Sequence, residues 1–261
     1  NVGGDMAAAD RWLEFYEKRW DEKLLGKRPE AKGRSLLEQR AWPAEKQSGA
    51  YAPRACAANP DWRVVEKALV GALIDAGIDG FITHRNMYGQ CGCDHCHDGL
   101  RKQLAANYQT DELKLRFGIA NLPTHKLPHI YGFHREHATK PTALELEGMK
   151  FARRQTKECF DEVFLQYARG RKKDLIVAQW NHIPHFDEMR LDDGHIPGSP
   201  TTTFVHACHD ERWSLPADVW GRGEDFFWYC NWGTTQKTQL TKQHVADITL
   251  YAKLVRSQAR G

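Results

Sequence analysis

Long apolar stretches are missing from this sequence of 261 residues. Its apolar runs, such as residues 68–74 and 175–178, are far shorter than the roughly 20 residues that a membrane-spanning helix needs. Long runs of like charge are also missing, and 37 Lys and Arg against 34 Asp and Glu leave a formal net charge of +3. The sequence therefore predicts no membrane partner and no nucleic-acid partner.

The sequence also lacks an initiator methionine and an apolar amino-terminal leader. We therefore expect that a leader is absent or has been removed, and that the chain is part of a longer protein. Its composition, 41% hydrophobic and 27% charged, is typical of a soluble globular protein, not of a disordered or fibrous one. The expected location is the cytoplasm or, after leader removal, the secreted or periplasmic space. A homo-oligomer is compatible with the sequence.

Helical and strand patterns alternate along the chain. Apolar periodicity predicts helices over residues 10–25, 61–76, 144–169 and 245–260. Short apolar runs predict strands over residues 78–83, 129–133, 175–180, 203–208 and 226–230. Continuous hydrophobicity in the strands favours a parallel sheet that is buried on both faces, as in α/β proteins. The length suits a (β/α)8 TIM-type barrel of about 250 residues. We predict one such domain over residues 1–261. Only about five of its eight strands are recognisable, so either the other strands are disguised or the barrel is incomplete.

Three cysteines lie close together in a loop that follows a predicted strand: Cys91, Cys93 and Cys96. Three thiolates can converge on one tetrahedral metal ion, whereas a disulfide uses only two. Cys56, which precedes the helix leading into this region, is the preferred fourth ligand, and His95 and His97 are the alternatives. Reduced, unligated thiols and a disulfide are also compatible with this spacing. An all-thiolate zinc site would be structural, because it has no open coordination position.

Two segments around these cysteines resemble a known family. Residues 56–63 read Cys-Ala-Ala-Asn-Pro-Asp-Trp-Arg before a predicted helix, and Asn86-Met87-Tyr88-Gly89 precedes the cysteine triplet. This order is similar to that of the zinc-containing β-galactosidases of glycoside hydrolase family forty-two and related glycosidase barrels, over residues 56–104. The resemblance implies a glycosidase barrel with an inserted zinc loop near residues 91–96. It also implies a sugar-contacting Asn86 and a structural Zn²⁺ on Cys56, Cys91, Cys93 and Cys96.

The resemblance fails at the position of the family's acid/base glutamate, where this sequence has Met87. A thioether cannot donate a proton, so the two-carboxylate mechanism of that family cannot operate unchanged. In parallel barrels the reactive groups follow the carboxyl ends of the strands. Here those positions carry few carboxylates, and the substrate-binding candidates among them are Arg85, Asn86, Trp180, Asn181, His182, His206 and Trp232.

The leading hypothesis is a carbohydrate-active enzyme that hydrolyses glycosidic bonds in an oligosaccharide or polysaccharide. Its acids would be relocated, with Glu211 and either Asp187 or Glu188 as the available carboxylates. The barrel's frequent use by glycosidases supports this hypothesis by analogy alone.

The alternative is a polysaccharide lyase that removes the proton next to a uronate carboxylate and eliminates the glycosidic oxygen. Tyr88 and His84 would move the proton, and Arg85 and Asn86 would neutralise the carboxylate. A glycan-binding barrel without activity is a further alternative. A catalytic metal on histidines 182, 185, 206 or 209 is a fourth hypothesis, although no HExxH spacing is present.

Overall fold

The computed structural model describes residues 6–37, 55–83, 90–131, 142–182 and 223–230, with residues 249 and 253. Its helices are α1 (Met6–Lys18), α2 (Glu22–Leu25), a 3₁₀ turn (Gly33–Leu36), α3 (Pro60–Asp75), α4 (Asp94–Asn107), α5 (Thr110–Phe117), α6 (Ala143–Phe160), a π-helical segment (Asp161–Ala168) and α7 (Arg169–Arg171). Its strands are β1 (Gly80–Thr83), β2 (Gln90–Cys91), β3 (Ile130–Tyr131), β4 (Ile176–His182) and β5 (Phe226–Cys230). None of the helices in this part of the chain has the length and hydropathy needed to cross a bilayer.

Local capping residues set the ends of the helices. The Asn59 side chain accepts a hydrogen bond from the Asp61 backbone, and Pro60 occupies the first turn of α3. Thr142 and Glu145 form a reciprocal capping box at the start of α6. The helices predicted over residues 61–76 and 144–169 are present, whereas the helix predicted over residues 10–25 is interrupted. Asp21 accepts hydrogen bonds from two backbone amides and so begins a separate helix, α2.

Strands β1, β4 and β5 form a parallel sheet with β4 in the centre. Gly80 pairs with Ile176, and Ala178 pairs with Phe226. A Cβ at Gly80 would lie 2.6 Å from the Ile176 carbonyl oxygen, so the close approach of β1 to β4 requires glycine. The strand predictions at residues 78–83, 175–180 and 226–230 therefore correspond to neighbouring strands of one sheet.

The prediction of an eight-stranded barrel is wrong. In the described residues the parallel strands form an open sheet of three, and β3 pairs with β2 in a separate antiparallel hairpin. The physical reason lies between β1 and β4. There the described residues form the hairpin and helices α4, α5 and α6, and not the repeated strand and helix units that close a barrel. The strand predicted over residues 203–208 lies outside the described residues, as does most of the helix predicted over residues 245–260.

The long helix formed by α6 and the π-helical segment is the centre of the core. Phe164 packs edge-on against Phe81 of β1, with 5.3 Å between ring centroids. On another side, Glu162 binds Arg63 and Lys67 of α3 through hydrogen bonds of 2.8 and 2.5 Å. These contacts join α3, the long helix and the parallel sheet into one packed unit.

Candidate metal centre

Four cysteine sulfur atoms lie together at one end of α4. The Cys56 Sγ is 3.5 Å from that of Cys96, 3.7 Å from that of Cys93 and 3.8 Å from that of Cys91. A disulfide requires a sulfur–sulfur distance of about 2.05 Å. A tetrahedral ion with metal–sulfur bonds of about 2.3 Å separates its sulfur ligands by about 3.8 Å. The four cysteines therefore form a group that can bind one metal ion.

Each cysteine is placed by a different local structure. The Cys56 amide donates to the Leu36 carbonyl, beside an isolated bridge between Leu37 and Ala55. Cys91 lies on β2, paired with Ile130 of β3. The other two belong to α4, Cys93 as its N-cap residue and Cys96 in its first turn. The group thus joins the segment before α3, the hairpin and the start of α4.

The two histidines considered as alternative ligands have other positions. The His97 Nε2 lies 3.2 Å from the Pro128 carbonyl oxygen, and His95 is exposed beside a cleft between α4 and α6. Neither histidine belongs to the group of four converging ligand atoms. Cys56, from a distant part of the sequence, completes the group.

His129 supports the cysteine loop from outside. A Cβ at Gly92 would lie 2.5 Å from the His129 Nε2, so glycine allows the ring to pack directly against the loop. Burial, together with the nearby His97 and Lys126, lowers the pKa of His129. A neutral ring packed on the loop is the arrangement that this lowered pKa favours.

The cysteine group is largely buried, so negative charge on its thiolates is costly unless a cation balances it. Cys56, Cys91 and Cys96 are each 0% exposed, and Cys93 is half-buried. Hydrogen bonding with the neighbouring thiols, aided by burial, raises the pKa of Cys56 and of Cys96, whereas hydrogen bonds from the other thiols lower the pKa of Cys93. Four thiolates in this space would repel one another without a cation, and soft thiolates suit zinc, copper(I) or iron–sulfur chemistry.

Three of the predicted substrate-binding residues lie at the carboxyl end of a parallel strand. Trp180, Asn181 and His182 are the last residues of β4, and Asn181 and His182 pair with Tyr229 and Cys230 of β5. The remaining candidates lie outside the described residues: His84, Arg85, Asn86, Tyr88, Asp187, Glu188, His206, Glu211 and Trp232.

Sequence reasoning missed a polar pair just before these strand ends. The buried Thr83 Oγ1 donates a 2.6 Å hydrogen bond to the Gln179 Oε1 and so links β1 with β4. Gln179 is 0% exposed. A polar residue in an otherwise apolar strand was the signal that could have identified this pair.

Comparisons with protein-family models, with curated proteins and with solved structures found no match. The resemblance to glycoside hydrolase family forty-two therefore stays a prediction. The candidate metal centre is supported by its own geometry.

Proposed function

We propose that Cys56, Cys91, Cys93 and Cys96 hold a structural zinc ion. The supporting observation is the set of sulfur–sulfur distances, 3.5, 3.7 and 3.8 Å, which fits the roughly 3.8 Å of a tetrahedral zinc thiolate site. Such a site has no open position for water or substrate. Zinc would therefore supply folding free energy and take no part in the chemistry.

The zinc would hold one end of a segment that carries candidate reaction residues. Residues 84–89 connect β1 with β2, so they begin directly after Thr83 and end just before Cys91. Thr83 is fixed to β4 by pairing with Gln179 and by the hydrogen bond between their side chains. Both described neighbours of the segment that carries His84, Arg85, Asn86 and Tyr88 would then be fixed, Thr83 to β4 and Cys91 to the zinc.

We propose further that the chain cleaves glycosidic bonds at the carboxyl edge of its parallel sheet. The support is topological, because β1, β4 and β5 are neighbours and run in the same direction. Residues that follow the ends of parallel neighbours begin from the same edge of a sheet, where open α/β sheets bind their ligands. His84 and Tyr88 follow β1 in the sequence, and Asp187 and Glu188 follow β4. Glu211 instead follows the strand predicted over residues 203–208, which lies outside the described residues.

Hydrolysis is the leading reaction and elimination is the alternative. Hydrolysis would use Glu211 with Asp187 or Glu188, since that chemistry requires a pair of carboxyl groups. One observation favours elimination, because residues 84–89, which follow β1 in the sequence, include no carboxyl group. A lyase needs groups that neutralise a uronate and move a proton, and it needs no carboxylate pair.

An assay with neutral and uronate-containing polysaccharides tests the reaction. Hydrolysis releases reducing ends, whereas elimination also creates an unsaturated product that absorbs at about 235 nm, as expected from removal of the proton next to the uronate. Release of reducing ends without absorbance would support the hydrolase, and a rise in both would support the lyase. No signal in either assay would contradict cleavage and leave glycan binding without catalysis as the remaining carbohydrate hypothesis.

Matched variants assign the residues. Glu211→Gln should abolish hydrolysis, whereas Glu30→Gln, which alters a carboxylate whose side chain is 92% exposed, should leave it unchanged. Tyr88→Phe should abolish elimination, and Tyr167→Phe, in the π-helical segment, is the control for loss of a phenol. Equal activity of the test and control variants would contradict the assigned roles.

A further inference from the structure

Helices α4 and α6 enclose an open cleft beside the metal centre. Its volume is about 520 Å³, within the roughly 300–1,000 Å³ of small-molecule sites. On each helix the lining residues recur every three or four positions and so define one face. The face of α4 carries Asp98, Lys102 and Gln103, and the face of α6 carries Phe151, Arg154 and Glu158. The cleft is next to the cysteine group because His95 lies between Cys93 and Cys96 in the first turn of α4.

The charged groups of the cleft differ in whether they are already paired. Asp98 binds Arg101 at 3.1 Å, and Glu158 accepts a 2.8 Å hydrogen bond from the neighbouring Gln155. Across the described ranges of the chain, neither Lys102 nor Arg154 has an ion-pair or hydrogen-bond partner. Two unpaired cations, one from each helix, therefore line the same cleft.

We propose that this cleft binds a small sugar acid. Lys102 and Arg154 would bind its carboxylate, because charge-assisted hydrogen bonds to carboxylates are among the strong ones. Asp98 and Glu158 keep oxygen atoms that can accept hydrogen bonds from hydroxyl groups. The buried Phe151 ring gives the cleft an apolar wall.

The lining carboxylates also argue against a compact inorganic anion. The remaining oxygen atoms of Asp98 and Glu158 would repel the oxygen atoms of phosphate but can accept hydrogen bonds from the hydroxyl groups of a sugar acid. A ligand that carries both a carboxylate and hydroxyl groups uses both kinds of lining group. The Gln103 Oε1 has no hydrogen-bond partner in the described residues and can accept one from a hydroxyl. Gln155 is already engaged, because its amide accepts from Arg63 and donates to Glu158. This site does not depend on the proposed cleavage of glycosidic bonds.

Titration calorimetry of the metal-loaded protein tests the site with three probes: glucuronate, glucose and inorganic phosphate. Glucuronate should bind at least about tenfold more tightly than glucose, because loss of hydrogen bonds to charged groups costs about that much. It should also bind at least about tenfold more tightly than phosphate, which cannot use the hydroxyl acceptors. Equal binding of phosphate and glucuronate, or no binding of glucuronate, would overturn the proposal.

Variants locate the binding. Lys102→Gln and Arg154→Gln should each weaken glucuronate binding by about tenfold and leave metal content unchanged. Lys114→Gln, on the exposed surface of α5, is the matched control and should bind as the parent chain does. Glucuronate binding that survives both cleft variants but is lost in Arg85→Gln would assign the ligand to the strand edge and overturn the cleft site.

Discussion

Substitution by alanine should have opposite effects on the free energy of unfolding at two helical glycines. Gly99 lies in α4 and Gly148 in α6, the helices that enclose the cleft. A Cβ at Gly99 would lie 2.5 Å from the Phe151 Cζ and 2.6 Å from its Cε2. A Cβ at Gly148 would meet Ile130 at 3.8 Å and Leu100 at 3.9 Å, which are ordinary contact distances.

The expected free energies follow from these distances. Alanine is favoured over glycine in a helix interior by about 1 kcal/mol. At Gly148 the added methyl group also fills a buried position, so Gly148→Ala should raise the free energy of unfolding by about 1–1.5 kcal/mol. At Gly99 overpacking against the buried Phe151 costs about 1–3 kcal/mol and outweighs the helical gain. Gly99→Ala should therefore lower the free energy of unfolding by about 1 kcal/mol.

Urea denaturation of the metal-loaded variants measures both changes. Phe151→Leu shortens the side chain that Gly99 approaches, so the double variant should recover stability relative to the sum of the single changes. A favourable coupling of about 1 kcal/mol or more is expected. If Gly99→Ala stabilised the protein as much as Gly148→Ala does, the close approach of α4 to α6 would be refuted.

Two further predictions concern the neighbours of the metal centre and the core. Burial raises the pKa of Glu162, but hydrogen bonds and charge interactions with Lys67 and Arg63 outweigh it, and the net pKa is lowered. The ionised Glu162 therefore stabilises the folded chain at a pH above its pKa in the unfolded chain. This stabilisation is lost as the pH falls through its pKa in the folded chain. Glu162→Gln should lower the free energy of unfolding by about 1 kcal/mol at neutral pH, and this loss should shrink below about pH 4. If Glu162 did not pair with Lys67 and Arg63, the variant would show no loss at any pH. Gly92→Ala should destabilise the metal-loaded protein by about 1–3 kcal/mol in thermal unfolding, and His129→Ala in the same chain should reverse much of that loss. No reversal would show that His129 does not pack on the loop.

The sequence predicted local structure better than it predicted topology. Residues 61–76 follow the capping residue Asn59 and carry an apolar stripe, and residues 226–230 form a continuous apolar run. Local signals alone therefore placed α3 and β5. The barrel was wrong because strand pairing depends on contacts between distant residues. Those contacts place β3 in a hairpin with β2 and leave the parallel strands as an open sheet in the described residues.

The candidate site was also predictable from the sequence only in part. The close spacing of Cys91, Cys93 and Cys96 made a metal centre predictable, because a short loop brings its thiols together. The cleft between α4 and α6 was not predictable. Lys102 and Arg154 lie on helices that are distant in sequence, and only their packing brings the two cations to one cavity.

X-ray absorption at the zinc edge of the purified metal-loaded chain tests whether Cys56, Cys91, Cys93 and Cys96 bind zinc. We expect one zinc per chain with four sulfur ligands at about 2.3 Å and no nitrogen or oxygen ligand. Cys56→Ser should lose a sulfur ligand, whereas substitution of the buried Cys159, which lies outside the group, should leave the spectrum unchanged. A site with nitrogen or oxygen ligands, an unchanged spectrum in Cys56→Ser, or a chain without stoichiometric metal would contradict the account.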